Sequence, residues 1–130
     1  MQDERINLTQ AEWNIMEYLW EHPAASGREI TREMERIADW SRSTTLTLLA
    51  RLEGKGAVRA DSEGGKKHYS PLLRREDAAL QETEAFLSRV YHGSVSLMVS
   101  ALTKKQALPR EEIEELYAML KELEERDEHA

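Results

Sequence analysis

Residues 43–71, STTLTLLARLEGKGAVRADSEGGKKHYSP, decide the fold. The stretch begins with apolar residues at helical spacing and then reaches two glycines, of which Gly56 is the better left-handed cap. Two short extended runs follow, separated by the glycine pair 64–65 and closed by Pro71, which is typical of a β-hairpin. The stretch therefore predicts a helix that leads directly into a hairpin.

Upstream of this stretch, the sequence carries the start signals of two further helices. Thr9 with Glu12, and Ser26 with Glu29, have the spacing of capping boxes, in which a hydroxyl and a carboxylate satisfy free backbone N–H groups. Ser41 can cap the third helix. Three helices and a hairpin within about seventy residues is the order of a winged helix-turn-helix.

The third helix has an apolar inner face and a polar outer face. Thr45, Leu48, Leu49 and Leu52 follow the spacing i, i+3, i+4, i+7, so they should point into the core. Short outward side chains allow a helix to enter a major groove, where a leucine can meet a thymine methyl and lysines of the wing can reach phosphates. The predicted DNA-binding residues are Arg42, Ser43, Thr44, Leu46, Thr47, Arg51, Lys66 and Lys67, with Lys55 and Arg59 as additional phosphate contacts.

The net charge of −7 by itself argues against nucleic acid. The charge is unevenly distributed, however, since residues 40–70 contain six basic and three acidic side chains. A local basic patch matters more for phosphate binding than the total, because distant exposed charges are screened. The acidity and the uncharged outer helix face leave a second hypothesis open, a winged-helix protein–protein adaptor that does not bind DNA.

The C-terminal half, residues 74–130, is predicted to be helical and to form a domain separate from residues 1–73. Its helices are expected over 75–92 and 95–105, with a last helix beginning at Leu108-Pro109. Thin helices of this kind cannot bury their apolar stripes alone, which favours association with a second copy; packing against the hairpin domain is the alternative. The predicted dimerisation residues are Phe86, Leu87, Val90, Tyr91, Ile113, Leu116, Leu120 and Leu123.

Several classes of function find no support in the sequence. There is no cysteine, which excludes disulfides and thiol chemistry. The histidines lack metal-ligand spacing, and no phosphate loop or nucleophile motif occurs, so no enzyme, metal site or cofactor is predicted. No run of about 18 apolar residues and no signal-peptide pattern is present, so we expect a cytoplasmic protein without membrane insertion.

Three stretches, LTQAEWNIMEYLW, TTLTLLARLEGKG and the hairpin ending in YSP, resemble the penicillinase-repressor family (BlaI/MecI type), which includes copper-transport repressors. The resemblance extends through the IEEL of the last helix. It implies a homodimer in which each winged helix, with residues 41–52 as reading helix, binds one half of an inverted-repeat operator in double-stranded DNA. It also implies that the C-terminal helices hold the dimer together.

The resemblance further implies a mode of relief. The β-lactam branch of the family is relieved by proteolysis at an Asn-Phe bond, dependent on a membrane sensor protease, and by alignment this bond falls at Ala101-Leu102. Because this chain has Ala-Leu in place of Asn-Phe, the same cleavage specificity is not expected to carry over directly. The copper branch needs a cysteine motif, so thiolate copper sensing is excluded. In the wing, Gly65 stands where a basic residue is common, and Lys66 can substitute. A third hypothesis, relief by a small ligand between the domains, has no identifiable pocket in the sequence.

Overall fold

The computed structural model of the chain describes residues 5–105 and 108–128, so His129 lies outside the described residues. Within them the structure is mostly helical with one small sheet, as predicted. The elements are, in order, α1 (Gln10–Glu21), β1 (Ala25–Ser26), α2 (Gly27–Ala38), α3 (Arg42–Lys55), β2 (Val58–Glu63), β3 (Lys66–Pro71), α4 (Arg75–Tyr91), α5 (Val95–Lys104) and α6 (Arg110–Glu128).

All three predicted helix caps are confirmed. The Thr9 hydroxyl accepts from the backbone N–H of Glu12 at 3.1 Å, and the Glu12 carboxylate accepts from the backbone N–H of Thr9 at 2.8 Å. Ser26 and Glu29 repeat both distances at the start of α2. Ser41 caps α3 by accepting from the backbone N–H of Thr44 at 3.1 Å. These contacts form within four residues, which is why sequence spacing locates the helix starts.

One core lies among α1, α2, α3 and the sheet, and the predicted inner face of α3 is buried in it. Its fully buried members include Ile15, Met16, Leu19, Ile30, Met34, Leu49, Leu52 and Val58. Ile37 continues the helical spacing of the buried Ile30 and Met34, which by itself predicts a buried side chain, but it is 49% exposed. It lies in the last turn of α2, just before the left-handed Asp39 that ends the helix.

The predicted hairpin is confirmed, and it belongs to a three-stranded sheet with the order β1-β3-β2. β2 and β3 pair antiparallel from Val58↔Pro71 to Glu63↔Lys66. β1 pairs with the other edge of β3 through Ala25↔Tyr69. A strand of two residues has no periodicity of its own, so this third strand was not predicted.

The chain divides into two compact units, the first ending at Thr83 and the second beginning at Glu84. The division falls inside α4, whose Ala78 is buried in the core of the first unit. The functional boundary expected between residues 73 and 74 stays a prediction.

In the second unit, the described residues 84–105 and 108–128 include no buried side chain. Phe86 and Tyr91 make an edge-to-face contact with ring centroids 5.9 Å apart. Of the predicted dimerisation residues, Leu87, Tyr91 and Leu116 are partly buried and the others are exposed. No helix among the described residues combines the length and apolar character that a membrane span requires.

Two glycines near the end of α3 should respond oppositely to alanine. Gly56 follows the helix with φ 82°, so Gly56→Ala should destabilise the protein by about 1 kcal/mol. Gly54 lies inside α3, and a Cβ there would meet no atom within 4 Å, so Gly54→Ala should stabilise by about 0.5–1 kcal/mol. Urea denaturation at one protein concentration measures both, and equal signs would contradict the assigned helix end.

Candidate nucleic-acid interface

The outer face of α3 is exposed at most of the predicted positions. Arg42, Ser43, Thr44, Thr47 and Arg51 are exposed. The orientation follows from the inner face of the same helix, which is fixed in the core. The Thr44 side-chain oxygen accepts a hydrogen bond from the Ser41 hydroxyl at 3.0 Å, so it takes part in the cap and keeps its own hydroxyl proton for a further partner.

Leu46 was predicted to be an exposed leucine but is partly buried. It packs against the edge of the core. Its remaining surface lines two adjoining concave regions, one bounded by α3 alone and one bounded by α2, α3 and the wing. A leucine held in this way can present a fixed apolar contact to a ligand, because its rotamers are already restricted.

The second of these regions, which we call the basic groove, has a volume of about 680 Å³. It brings together α2, the start of α3 and strand β3. Five cationic side chains line it, with Glu35 as the carboxylate; the cations are Arg28, Arg32, Arg42, Lys66 and Lys67. Within the described part of the chain, none of the five forms an ion pair. Their charges therefore remain available to an anionic partner.

Arg28 and Arg32 were not predicted as site residues. They lie one helical turn apart on α2, and both are exposed. Their i, i+4 spacing opposite the buried Ile30 and Met34 is a signal that the sequence contains. What the sequence does not show is that this face of α2 adjoins α3 and the wing.

Lys55, predicted as an additional phosphate contact, already has partners for its ammonium group within the fold. Its ammonium group donates to the Glu12 carboxylate at 2.6 Å and to the backbone oxygen of Asn7 at 2.6 Å. The buried carboxylate needs this cation, so Lys55 serves the fold. Arg59 pairs with Asp61 at 3.0 Å, and both side chains are largely exposed.

The wing turn contains Gly65 directly before Lys66. Gly65 has φ 80°, a conformation that favours glycine. Lys66 and Lys67 follow it directly and are exposed. Lys66 is therefore the first cation after the wing turn.

Ala101 and Leu102, the predicted cleavage position, lie within α5. Leu102 is 39% exposed, whereas Ala101 is partly buried. A protease binds its substrate in an extended form, so cleavage at this bond requires the end of α5 to unwind.

No group of three or more histidine, aspartate or glutamate side chains among the described residues is arranged to hold a metal ion. His22 stacks on Tyr18 with ring centroids 4.3 Å apart. The pKa of Glu29 is lowered chiefly by its hydrogen bonds with the backbone and hydroxyl of Ser26, with smaller contributions from His68 and His22. These contacts belong to the capped end of α2.

Comparisons with known proteins give one consistent result. The sequence pattern that defines the penicillinase repressor family matches residues 8–122. The chain is 33% identical over 115 residues to the penicillinase repressor of Bacillus licheniformis, covering 88% of this chain and 90% of that protein. It is 30% identical over 120 residues to the methicillin resistance regulatory protein MecI of Staphylococcus aureus, covering 92% of this chain and 98% of that protein.

A solved structure supports the fold. The monomeric form of Bacillus licheniformis BlaI in complex with the blaP half-operator superposes with a TM-score of 0.51 at 31% identity. The match covers 56% of this chain and 90% of that chain. The chain thus belongs to the penicillinase repressor family, whose members are winged-helix transcriptional repressors and not enzymes.

Proposed function

We propose that this chain acts in the cytoplasm as a homodimeric repressor that binds an inverted-repeat operator and blocks transcription. The observation that carries the proposal is the basic groove, where five cations that have no ion-pair partner among the described residues lie beside the outer face of α3. The family membership and the half-operator complex of the Bacillus licheniformis BlaI support DNA as the ligand.

Each winged helix would read one half-site through α3. Ser43 and Thr47 are short enough for the helix to lie deep in the major groove, where they can bond to base edges. The cations of the basic groove would bind phosphates on both sides of α3 and fix its register without reading sequence. Leu46, held at the edge of the core, would supply an apolar contact to a thymine methyl.

The second unit would hold two copies together. Its described helices carry exposed large apolar side chains, among them Phe86, Ile113, Leu120 and Leu123. A second copy offers the same faces, and a two-fold arrangement would match the symmetry of an inverted repeat.

We further propose that repression is relieved by proteolysis in the C-terminal region, at Ala101-Leu102, after a β-lactam or another signal activates a membrane sensor protease. Cleavage there would separate α6 from the rest of the chain and so remove part of the dimer contact. Mass spectrometry of the repressor from induced cells tests this. Fragments that end elsewhere, or an intact chain during induction, would contradict the proposed bond.

Selection from random duplex DNA, followed by binding of the enriched site at two salt concentrations, tests the function itself. We expect an enriched palindrome with half-site centres about one helical turn apart, and an affinity that falls steeply with salt. No enrichment, or binding indifferent to salt, would favour the protein–protein adaptor. The net charge of −7 is the observation behind that alternative.

The role of Leu46 can be tested at one base pair. Leu46→Ala should reduce the preference for thymine at a single operator position by about threefold to tenfold, because the apolar contact to its methyl group is lost. The readout is a set of single-base operator variants, and Leu72→Ala, at an exposed leucine outside the groove, is the matched control. Unchanged preference at every position would remove Leu46 from the readout.

A further inference from the structure

The first turn of α4 packs against α1 through side chains that do not line the basic groove. The Arg75 guanidinium donates two hydrogen bonds to the Glu17 carboxylate, one from Nη2 at 3.0 Å and one from Nε at 3.2 Å. The same guanidinium lies over the ring of Trp20, 5.8 Å from its centroid. The indole N–H of Trp20 donates to the backbone oxygen of Leu73 at 2.8 Å. Residues more than fifty positions apart are thereby joined.

A second tryptophan holds the carboxylate in place. The Trp13 indole N–H donates to Glu17 at 2.9 Å, and its ring meets that of Trp20 edge to face at 5.4 Å. The Arg75 hydrogen bond is the largest cause of the lowered pKa of Glu17, so this carboxyl stays charged. We call the set Trp13, Glu17, Trp20 and Arg75 the aromatic clasp.

The geometry of the clasp restricts the direction of the contact more than it adds to stability. Arg75 and Glu17 are 54% and 42% exposed, and exposed pairs of this kind add little stability. Bidentate geometry and stacking on an indole instead restrict direction, because a planar guanidinium fits a carboxylate in only a few orientations. What the clasp restricts is the direction of the first turn of α4 relative to α1.

We propose that the aromatic clasp is a positioning device that sets the operator spacing a dimer accepts; this rests on the proposed dimeric binding of an inverted repeat. α4 has 17 residues, or about 25 Å of helix. A change of about 15° in its axis would move the far end by about 7 Å, or about two base pairs at 3.4 Å each. A fixed axis therefore selects one spacing, and a loose axis tolerates several.

The test uses the full chain and operators whose spacer is lengthened or shortened by one and two base pairs around the selected site. For the unaltered protein we expect affinity to fall at least about tenfold when the spacer changes by two base pairs. For Arg75→Gln we expect the same change to cost less than about threefold, with binding to an isolated half-site unchanged within twofold. Trp20→Phe, which keeps a ring but loses the donor to Leu73, should fall between them.

Arg74→Gln is the matched control. Arg74 is the neighbouring arginine, also exposed, and its partner Glu76 lies two residues further along the same segment. This variant should keep the spacer dependence of the unaltered protein. Thermal melts check that each variant is folded. If Arg75→Gln does not fold, the spacer dependence of Trp20→Phe tests the proposal.

The outcomes separate the two proposals. If the unaltered protein selects no palindrome, dimeric operator binding is wrong and the clasp proposal falls with it. If it selects a palindrome with a sharp spacing that Arg75→Gln and Trp20→Phe both retain, the dimer stands and the clasp is overturned. A flat spacer dependence in the unaltered protein overturns the clasp as well.

Discussion

Replacing Arg28 and Arg32 together by glutamine is expected to weaken operator binding about 30- to 1,000-fold at ~0.15 M salt. Both side chains line the basic groove, and neither has an ion-pair partner among the described residues. A dimer would lose four phosphate contacts, each contributing on the order of 1 kcal/mol at an exposed site. Since tenfold in affinity corresponds to about 1.4 kcal/mol, the combined effect lies in this range.

The salt dependence of binding identifies the mechanism of this loss. Each phosphate contact contributes about 0.9 to the slope of log affinity against log salt, so the variant's slope should be shallower by roughly 3 to 4. The loss should be the same for specific and random DNA, because phosphates carry no sequence information. Fluorescence anisotropy at several salt concentrations measures both quantities.

Arg36→Gln is the control, because Arg36 lies one turn further along α2 and outside the groove. It already pairs with Glu33 at 2.6 Å. We expect this variant to change the affinity for the operator by less than about twofold, because Arg36 would not contact phosphate. An Arg28/Arg32 variant that keeps the original salt slope would place the DNA on another surface.

Lys55→Met is expected to destabilise the protein by about 2–3 kcal/mol. Glu12 is fully buried, and Lys55 is the cation that neutralises it, with 29% of its side chain exposed. Removing one partner of a buried pair costs about 3–5 kcal/mol, and the partial exposure of Lys55 places the effect lower. Urea denaturation at a fixed protein concentration measures the loss, which in an oligomer depends on that concentration.

The double variant Glu12→Gln with Lys55→Met separates charge from packing. The glutamine carbonyl can still accept from the Thr9 backbone N–H, so the capping box keeps its shape. With no buried charge left, the double variant should recover most of the stability that Lys55→Met loses. If it is no more stable than Lys55→Met alone, the ion pair is not the cause.

The same pair predicts a pH dependence. Burial raises the pKa of Glu12, but hydrogen bonds from Lys55 and Thr9 outweigh this effect, and the pKa is lower in the folded protein than is usual for a glutamate. A lowered pKa contributes stability above the unfolded value, and this contribution is lost as the pH falls through the folded pKa. As the pH falls from about 5 to about 3, the Glu12→Gln variant should therefore lose less stability than the unaltered protein.

The helix starts and the inner face of α3 could be predicted because short-range contacts decide them. Thr9, Ser26 and Ser41 satisfy backbone groups three residues away. Strand β1 could not be predicted, because it exists only where β3 supplies a partner 42 to 44 residues along the chain. Ile37 has the correct helical spacing, yet it lies where α2 has passed the core, and periodicity does not report the extent of a core.

The candidate interface divides along the same line. The exposure of Ser43, Thr47 and Arg51 follows from the periodicity of one helix. Arg28 and Arg32 become site candidates only because α2 packs beside α3 and the wing. The ion pair of Lys55 could not be predicted from the sequence, because its partner Glu12 lies 43 residues away along the chain.

The amino-acid sequence by itself determined the three helices, the hairpin, the polar outer face of α3 and the family, since each depends on residue types at short, fixed spacings. The tertiary structure decided which charges meet. It paired Lys55 with Glu12, fastened Arg75 to Glu17, and left the five cations of the basic groove without partners among the described residues. The reason is physical: a charge is neutralised by whatever lies within a few ångströms in space, and chain packing alone sets that distance.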